Sequence, residues 1–275
     1  MFWVGHPYKV KFDLFIIALS CYNAFSIPLQ IAFEPAFLES WYFFWVDFVI
    51  NIMFAVDILV NFWSAYINTK TGVEIQNGRL VALNYLKTRF IIDLIATIPF
   101  DFIMGFFMDT SSPIFQLIGL IKLVRILRLT KLLSFLNTQA SDMSNVVIAT
   151  DVFYLVVYLH CFACTYFYFI IEDKHWLPVD DELNVDLYEQ PWYRQYSLMM
   201  YYSTVNFFGS DMYPNNNLST FIAIMGGIFG IFIFAKLTGD IVVSQIWAAR
   251  HDMRIDEKIQ ISWMQMKNLE IKWKT

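Results

Sequence analysis

Long apolar runs separated by short polar breaks dominate this chain. Six segments, at 11–33, 41–67, 84–108, 114–137, 143–171 and 217–249, stay apolar for about 20 residues or more, enough for a helix to cross a hydrocarbon core about 30 Å thick. Between the fifth and sixth lies a shorter amphipathic piece, "PWYRQYSLMMYYSTV", too short to cross. It predicts a re-entrant helix followed by a loop. Irregular backbone at membrane depth is tolerated only where protein or a water-filled cavity surrounds it, so this piece points to a pore.

Composition agrees with the pattern. Of 275 residues, 58% are hydrophobic and 16% charged, which is unlike a soluble domain and places the chain in a lipid bilayer. Cys21, Cys161 and Cys164 all fall inside apolar runs, without disulfide or metal spacing, and read as core residues. The amino terminus lacks a small-residue cleavage site, so the first segment is expected to stay as a spanning helix.

Loop charge gives an orientation. Lys9 and Lys11 precede the first segment, and Lys70, Arg79, Lys87 and Arg89 fall between the second and third, whereas Glu34 and Glu39 sit between the first and second. Both termini are therefore expected in the cytoplasm, in agreement with Arg250, His251, Arg254 and Lys258 after the sixth segment. The acidic loop from Glu172 to Glu189 is then extracytoplasmic. Two readings stand for it: a field that concentrates cations at a pore mouth, or a solvated loop.

The fourth segment carries chemistry. In "FQLIGLIKLVRILRLTKLLSFLN", Lys122, Arg125, Arg128 and Lys131 recur every third residue between apolar pairs. On a helix of 3.6 residues per turn that step winds the charges into a slow spiral, so each can exchange one acidic partner for the next as the helix slides. This predicts a voltage sensor; the competing reading is a basic helix lying on the membrane face. Candidate counter-charges are Asp47 and Asp57 in the second segment and Asp93 in the third, either exchanging partners with the fourth helix or pairing statically.

These residues carry a family resemblance. The stretches "KFDLFIIALSCYNAFSIPLQIAF", "FAVDILVNF", "NYLKTRFIIDLIATIPFD" and "LVRILRLTKLL" resemble the six-segment cation channels of the ether-à-go-go, hyperpolarisation-activated and cyclic-nucleotide-gated superfamily, over nearly the whole chain. The resemblance implies an all-α membrane fold of six transmembrane helices. It places a four-helix voltage-sensor bundle beside a two-helix pore module with a re-entrant pore helix. It also implies assembly of four chains, as homo- or heterotetramer with related subunits, around one pore in the plasma membrane. Asp57 and Asp93 match the family's acidic charge-transfer positions, and His160 in "YLHCFAC" matches a fifth-segment pattern and reads as a packing residue. No cofactor is implied beyond permeant monovalent cations, potassium first among them.

The expected selectivity region departs from that family. Potassium filters of this kind read TVGYG, with glycines turning carbonyls toward the ion. Here Thr204 and Val205 fit the start and "DMYP" the outer end, but Asn206, Phe207, Phe208, Gly209 and Ser210 replace three filter residues. Either a wider, less selective filter results, lined in part by Asn206 side chains, or a collapsed one that does not conduct. In the sixth segment, Gly226, Gly227 and Gly230 allow bending or close packing. Lys236 and Asp240 follow one helical turn apart, either paired with each other or presenting Lys236 to the pore axis.

Three regions result: a voltage-sensor-like domain at 1–137, a pore domain at 138–250 and the start of a cytoplasmic linker helix at 251–275, which resembles the family's lead-in to a nucleotide-binding domain. No nucleotide-binding domain is expected in this chain. Enzyme chemistry is not indicated, because the histidines are scattered and no nucleophile, metal or phosphate motif is present. Net charge −5 and membrane-hugging basic residues give no support to nucleic-acid binding. The expected function is a voltage-responsive tetrameric channel for potassium or non-selective monovalent cations; the alternative is a non-conducting modulatory subunit of related channels.

Overall fold

The computed structural model describes residues 3, 6–38, 40–68, 71–98, 129, 144–171, 187–210, 212–214 and 216–274. Lys122, Arg125, Arg128 and Lys131 lie outside the described residues, as does most of the acidic loop.

Helix α1 spans Pro7–Phe33, with proline in its first turn, where a missing N–H costs nothing. Ile16, Ser20, Asn23 and Ile27 form a buried stripe at helical spacing. Glu34 then adopts left-handed angles and returns its N–H to the Gln30 carbonyl, closing the helix. Helix α2, Trp41–Phe62, buries only Ile50, Phe54, Asp57 and Ile58. Its remaining apolar surface, including Trp41, Tyr42, Phe44, Trp45 and Phe48, is exposed, as a lipid-facing helix requires.

The second segment stops earlier than the apolar pattern predicts. After Phe62 the chain forms a two-stranded antiparallel hairpin, β1 Tyr66–Ile67 with β2 Glu74–Ile75, pairing Tyr66 with Ile75 and turning at Gly72 with φ 68°. The third segment begins earlier than predicted, at α3, Gly78–Thr88, because the Asn77 side chain caps it by accepting from the Arg79 N–H at 3.1 Å. Arg89 interrupts the helix, and α4 continues over Phe90–Thr97.

Helix α5, Ser144–Ile171, is the hub, packing against α1, α6 and α7. Helix α6, Trp192–Phe207, is the short amphipathic piece, and α7 runs unbroken from Asn217 to Lys274. The largest core gathers Phe162, Tyr166, Phe167 and Ile170 of α5 with Phe33 of α1, Met199 of α6 and Met212. Phe33 stacks on Phe167 with ring centroids 4.3 Å apart and meets Tyr196 edge-on at 5.7 Å. A second contact binds Ala24 of α1 and Val157 of α5 to Leu129, whose carbonyl accepts from the Tyr154 hydroxyl at 2.7 Å. Helices α1, α2, α5 and the first part of α7 are each long and apolar enough to cross a membrane.

Candidate functional site

Three polar constellations are built into this apolar frame. The first lies where α1, α2, α3 and α4 meet. Asp57 and Asp93 are buried, 3% and 5% exposed. Burial of a carboxylate is costly unless donors surround it. Tyr85 supplies one, donating to Asp93 Oδ2 at 2.8 Å, and Asn61 Nδ2 donates to Asp57 Oδ1 at 3.2 Å. Lys9 extends the chain of contacts by donating to Asn61 Oδ1 at 3.3 Å while pairing with Asp13. Phe62, Tyr85 and Phe90 pack edge-on beside the acids, with Phe62 and Tyr85 centroids 5.0 Å apart. The structure thus brings two of the predicted counter-charges to one place, with Tyr85 between them. Asp47 is not part of this cluster: it is half-buried, ten residues earlier on α2 and about 15 Å along the helix axis. Tyr85 and Asn61 escaped the sequence reading, although a tyrosine eight residues before an intramembrane acid is a candidate donor.

The second constellation is the re-entrant helix α6. Ser203 donates to the Leu159 carbonyl of α5 at 2.8 Å, and Asn206 Nδ2 donates to the Ala223 carbonyl of α7 at 3.4 Å. His160 bridges three helices. Its Nε2 is 3.0 Å from the Phe25 carbonyl of α1, so it carries the proton, and Nδ1 then accepts from the Tyr196 hydroxyl of α6 at 2.9 Å. This is the packing role expected for His160.

Thr204, Val205, Asn206 and Phe207 are helical, and the helix ends in a Schellman cap. Gly209, at φ 80°, returns its N–H to the Asn206 carbonyl at 3.0 Å, and Ser210 returns its own to Val205 at 3.0 Å. Phe208 N–H bonds the Thr204 carbonyl at 3.1 Å. All three carbonyls therefore accept backbone hydrogen bonds instead of facing an ion. The physical reason is the sequence itself: no glycine lies between Trp192 and Gly209, so nothing breaks the helix earlier. The Asn206 side chain ties α6 to α7. Phe208 is exposed, and Phe207 packs against Tyr158 and Phe234.

The third constellation joins α5 to α7. Gly226 abuts the Phe162 ring, and its carbonyl accepts from the Tyr158 hydroxyl. Gly230 lies against Tyr158 and Phe207, whereas a side chain at Gly227 would meet open space. The glycines at 226 and 230 thus serve close packing. Lys236 pairs with Asp240 at 2.8 Å, as the one-turn spacing predicts, and also bridges to buried Asp151 on α5. Asp151 was not singled out from sequence, yet a lone acid in "VVIATDVFYL" carries the same signal as Asp57. Among the described residues no cluster of histidine, cysteine or acidic side chains could hold a metal ion.

Comparison with known proteins gives these constellations a context. The family model described as ion transport protein matches residues 8–248. The chain is similar to potassium channel AKT2 of Oryza sativa subsp. japonica, 26% identical over 266 residues, covering 90% of this chain and 30% of that protein. It is also similar to the voltage-gated inwardly rectifying potassium channel KCNH2 of Canis lupus familiaris, 37% identical over 127 residues, covering 42% of this chain and 10% of the relative. The potassium voltage-gated channel protein eag of Drosophila melanogaster is 29% identical over 160 residues, 58% of this chain and 13% of the relative. The chain thus spans less than a third of the length of these curated relatives.

Proposed function

The chain belongs to the ion transport protein family, and from that membership and the geometry above we propose that it is a voltage-responsive cation channel assembled from four copies. Membership brings the all-helical, six-span membrane fold, and the relatives named above are channels rather than enzymes.

The observation that carries the proposal is helix α6. Sixteen residues long, it reaches about 24 Å, too short to cross, and is held between α5 and α7 by Ser203 and Asn206. A short helix ending inside the membrane directs the negative end of its dipole at whatever lies beyond Gly209. Four such ends around an axis would favour cations there. Permeant ions in this reading are monovalent, potassium or a mixture with sodium, and the residues from Thr204 to Gly209 shape the selective region through the capped helix end.

The voltage response rests on the buried acids. Asp57 and Asp93 are the counter-charges that Lys122, Arg125, Arg128 and Lys131 exchange, with Asp47 a further station along α2. Each elementary charge crossing the whole field contributes about 2.3 kcal/mol per 100 mV. In this reading residues 1–137 form the sensor, 138–250 the pore and 251–275 a linker, with both termini cytoplasmic in the plasma membrane.

Voltage-clamp recording of the chain expressed alone, with potassium inside and sodium outside, tests the proposal. A voltage-dependent current reversing near zero supports a non-selective pore, and a strongly negative reversal supports potassium selectivity. Absence of current despite surface expression would overturn the homomeric channel and favour a non-conducting subunit.

A further inference from the structure

Lys236 has two carboxylate partners of different kinds. Asp240 sits one turn away on the same helix, whereas Asp151 reaches it from α5 and is 4% exposed. The lysine side chain itself is 55% exposed. It emerges at the border between the face of α7 packed on α5, through Gly226 and Gly230, and the face carrying exposed Phe232, Ala235 and Gly239. A flexible four-carbon arm at such a border can place its ammonium on either side.

We propose that Asp151 is a positioning residue for cation permeation: it draws the Lys236 ammonium against α5 and away from the exposed face of α7. The proposal rests on the channel reading, in which that exposed face borders the conduction path. Asp240 alone cannot do the same, because a pair within one helix leaves the charge on the surface of that helix. Four ammonium groups released toward the path would repel cations there. The bridge from α5 removes that barrier while keeping the buried acid compensated.

The test is unitary conductance in membrane patches containing the full chain. Wild-type channels are recorded first; no current in surface-expressed wild type would overturn the channel reading, and this proposal with it. If wild type conducts, Asp151→Asn is expected to lower unitary conductance by roughly threefold or more, the effect of an ammonium no longer drawn toward α5 and standing nearer the ions. The double variant Asp151→Asn with Lys236→Met is expected to restore it. Should Asp151→Asn fail to reach the surface, tandem dimers linking one wild-type and one Asp151→Asn copy are recorded, and an intermediate unitary conductance is expected. Unchanged unitary conductance in Asp151→Asn or in the tandem dimers overturns the positioning role, even if fewer channels reach the membrane. A low conductance that the double variant does not restore overturns it as well.

Discussion

The Tyr158 hydroxyl on α5 donates to the Gly226 carbonyl on α7, one turn before Gly230 meets the same tyrosine. A glycine carbonyl is reachable here because no side chain holds the two helices apart. Replacing Gly226 with alanine drives a methyl group into the Phe162 ring, and overpacking of this kind costs about 1–3 kcal/mol. Gly227→Ala meets open space and is expected to be neutral, or to gain up to about 1 kcal/mol from helix propensity. Thermal unfolding of the two variants in detergent separates them, and equal melting temperatures would contradict the packing.

The cap on α6 predicts a second asymmetry. Gly209 holds φ 80°, which costs an L-residue about 1–2 kcal/mol, less for asparagine. Gly209→Ala is expected to disturb the helix end and alter ion selectivity, with Gly209→Asn milder. Reversal potentials in mixed potassium and sodium check this, and identical reversal in all three forms would detach the cap from selectivity.

Asp93 tests the sensor cluster. Tyr85→Phe removes the hydroxyl that donates to Asp93 at 2.8 Å, a loss of about 1–3 kcal/mol. A shifted midpoint of activation with an unchanged slope is expected, since the number of moving charges stays the same. Neutralising Arg125 and Arg128 together should instead flatten the slope. A slope unaltered by the double neutralisation would remove both residues from the sensor.

His160 ties α1, α5 and α6 through Phe25 and Tyr196. His160→Phe retains bulk but strands the Tyr196 hydroxyl, at about 1–3 kcal/mol for a group left unpaired in the core. Reduced surface expression is expected. Tyr196→Phe, added to that variant, should recover part of the loss, and no recovery would argue against the bridge.

What the sequence revealed follows from which forces act locally. Apolar length located α1, α2, α5 and α7, because spanning a bilayer depends on composition over a long window. The one-turn pair of Lys236 and Asp240 was equally legible. The hairpin after Phe62 was not, since Tyr66 and Ile67 are apolar enough to extend a helix and only their pairing with Glu74 and Ile75 claims them for strands. Likeness to a filter singles out Thr204 to Gly209, but the helical run of Thr204 to Phe207 shows only once Gly209, the first glycine able to close the helix, is seen in its cap. Asp151 required a tertiary partner 85 residues away before its role could be seen.

Helix α7 is continuous for 58 residues, about 87 Å at 1.5 Å per residue, and its contacts with α5 described above fall at Gly226, Gly230 and Lys236. Held near Lys236 and tilting as a rigid rod, it would act as a lever with its fulcrum there. Taking that fulcrum, the remaining length to Lys274 is about 57 Å, so a tilt of about 5° there sweeps the far end through about 5 Å. Run in reverse, a pull of about 5 Å on the far end of such a rod would tilt it by about 5° at Lys236, where α5 and α7 are bridged.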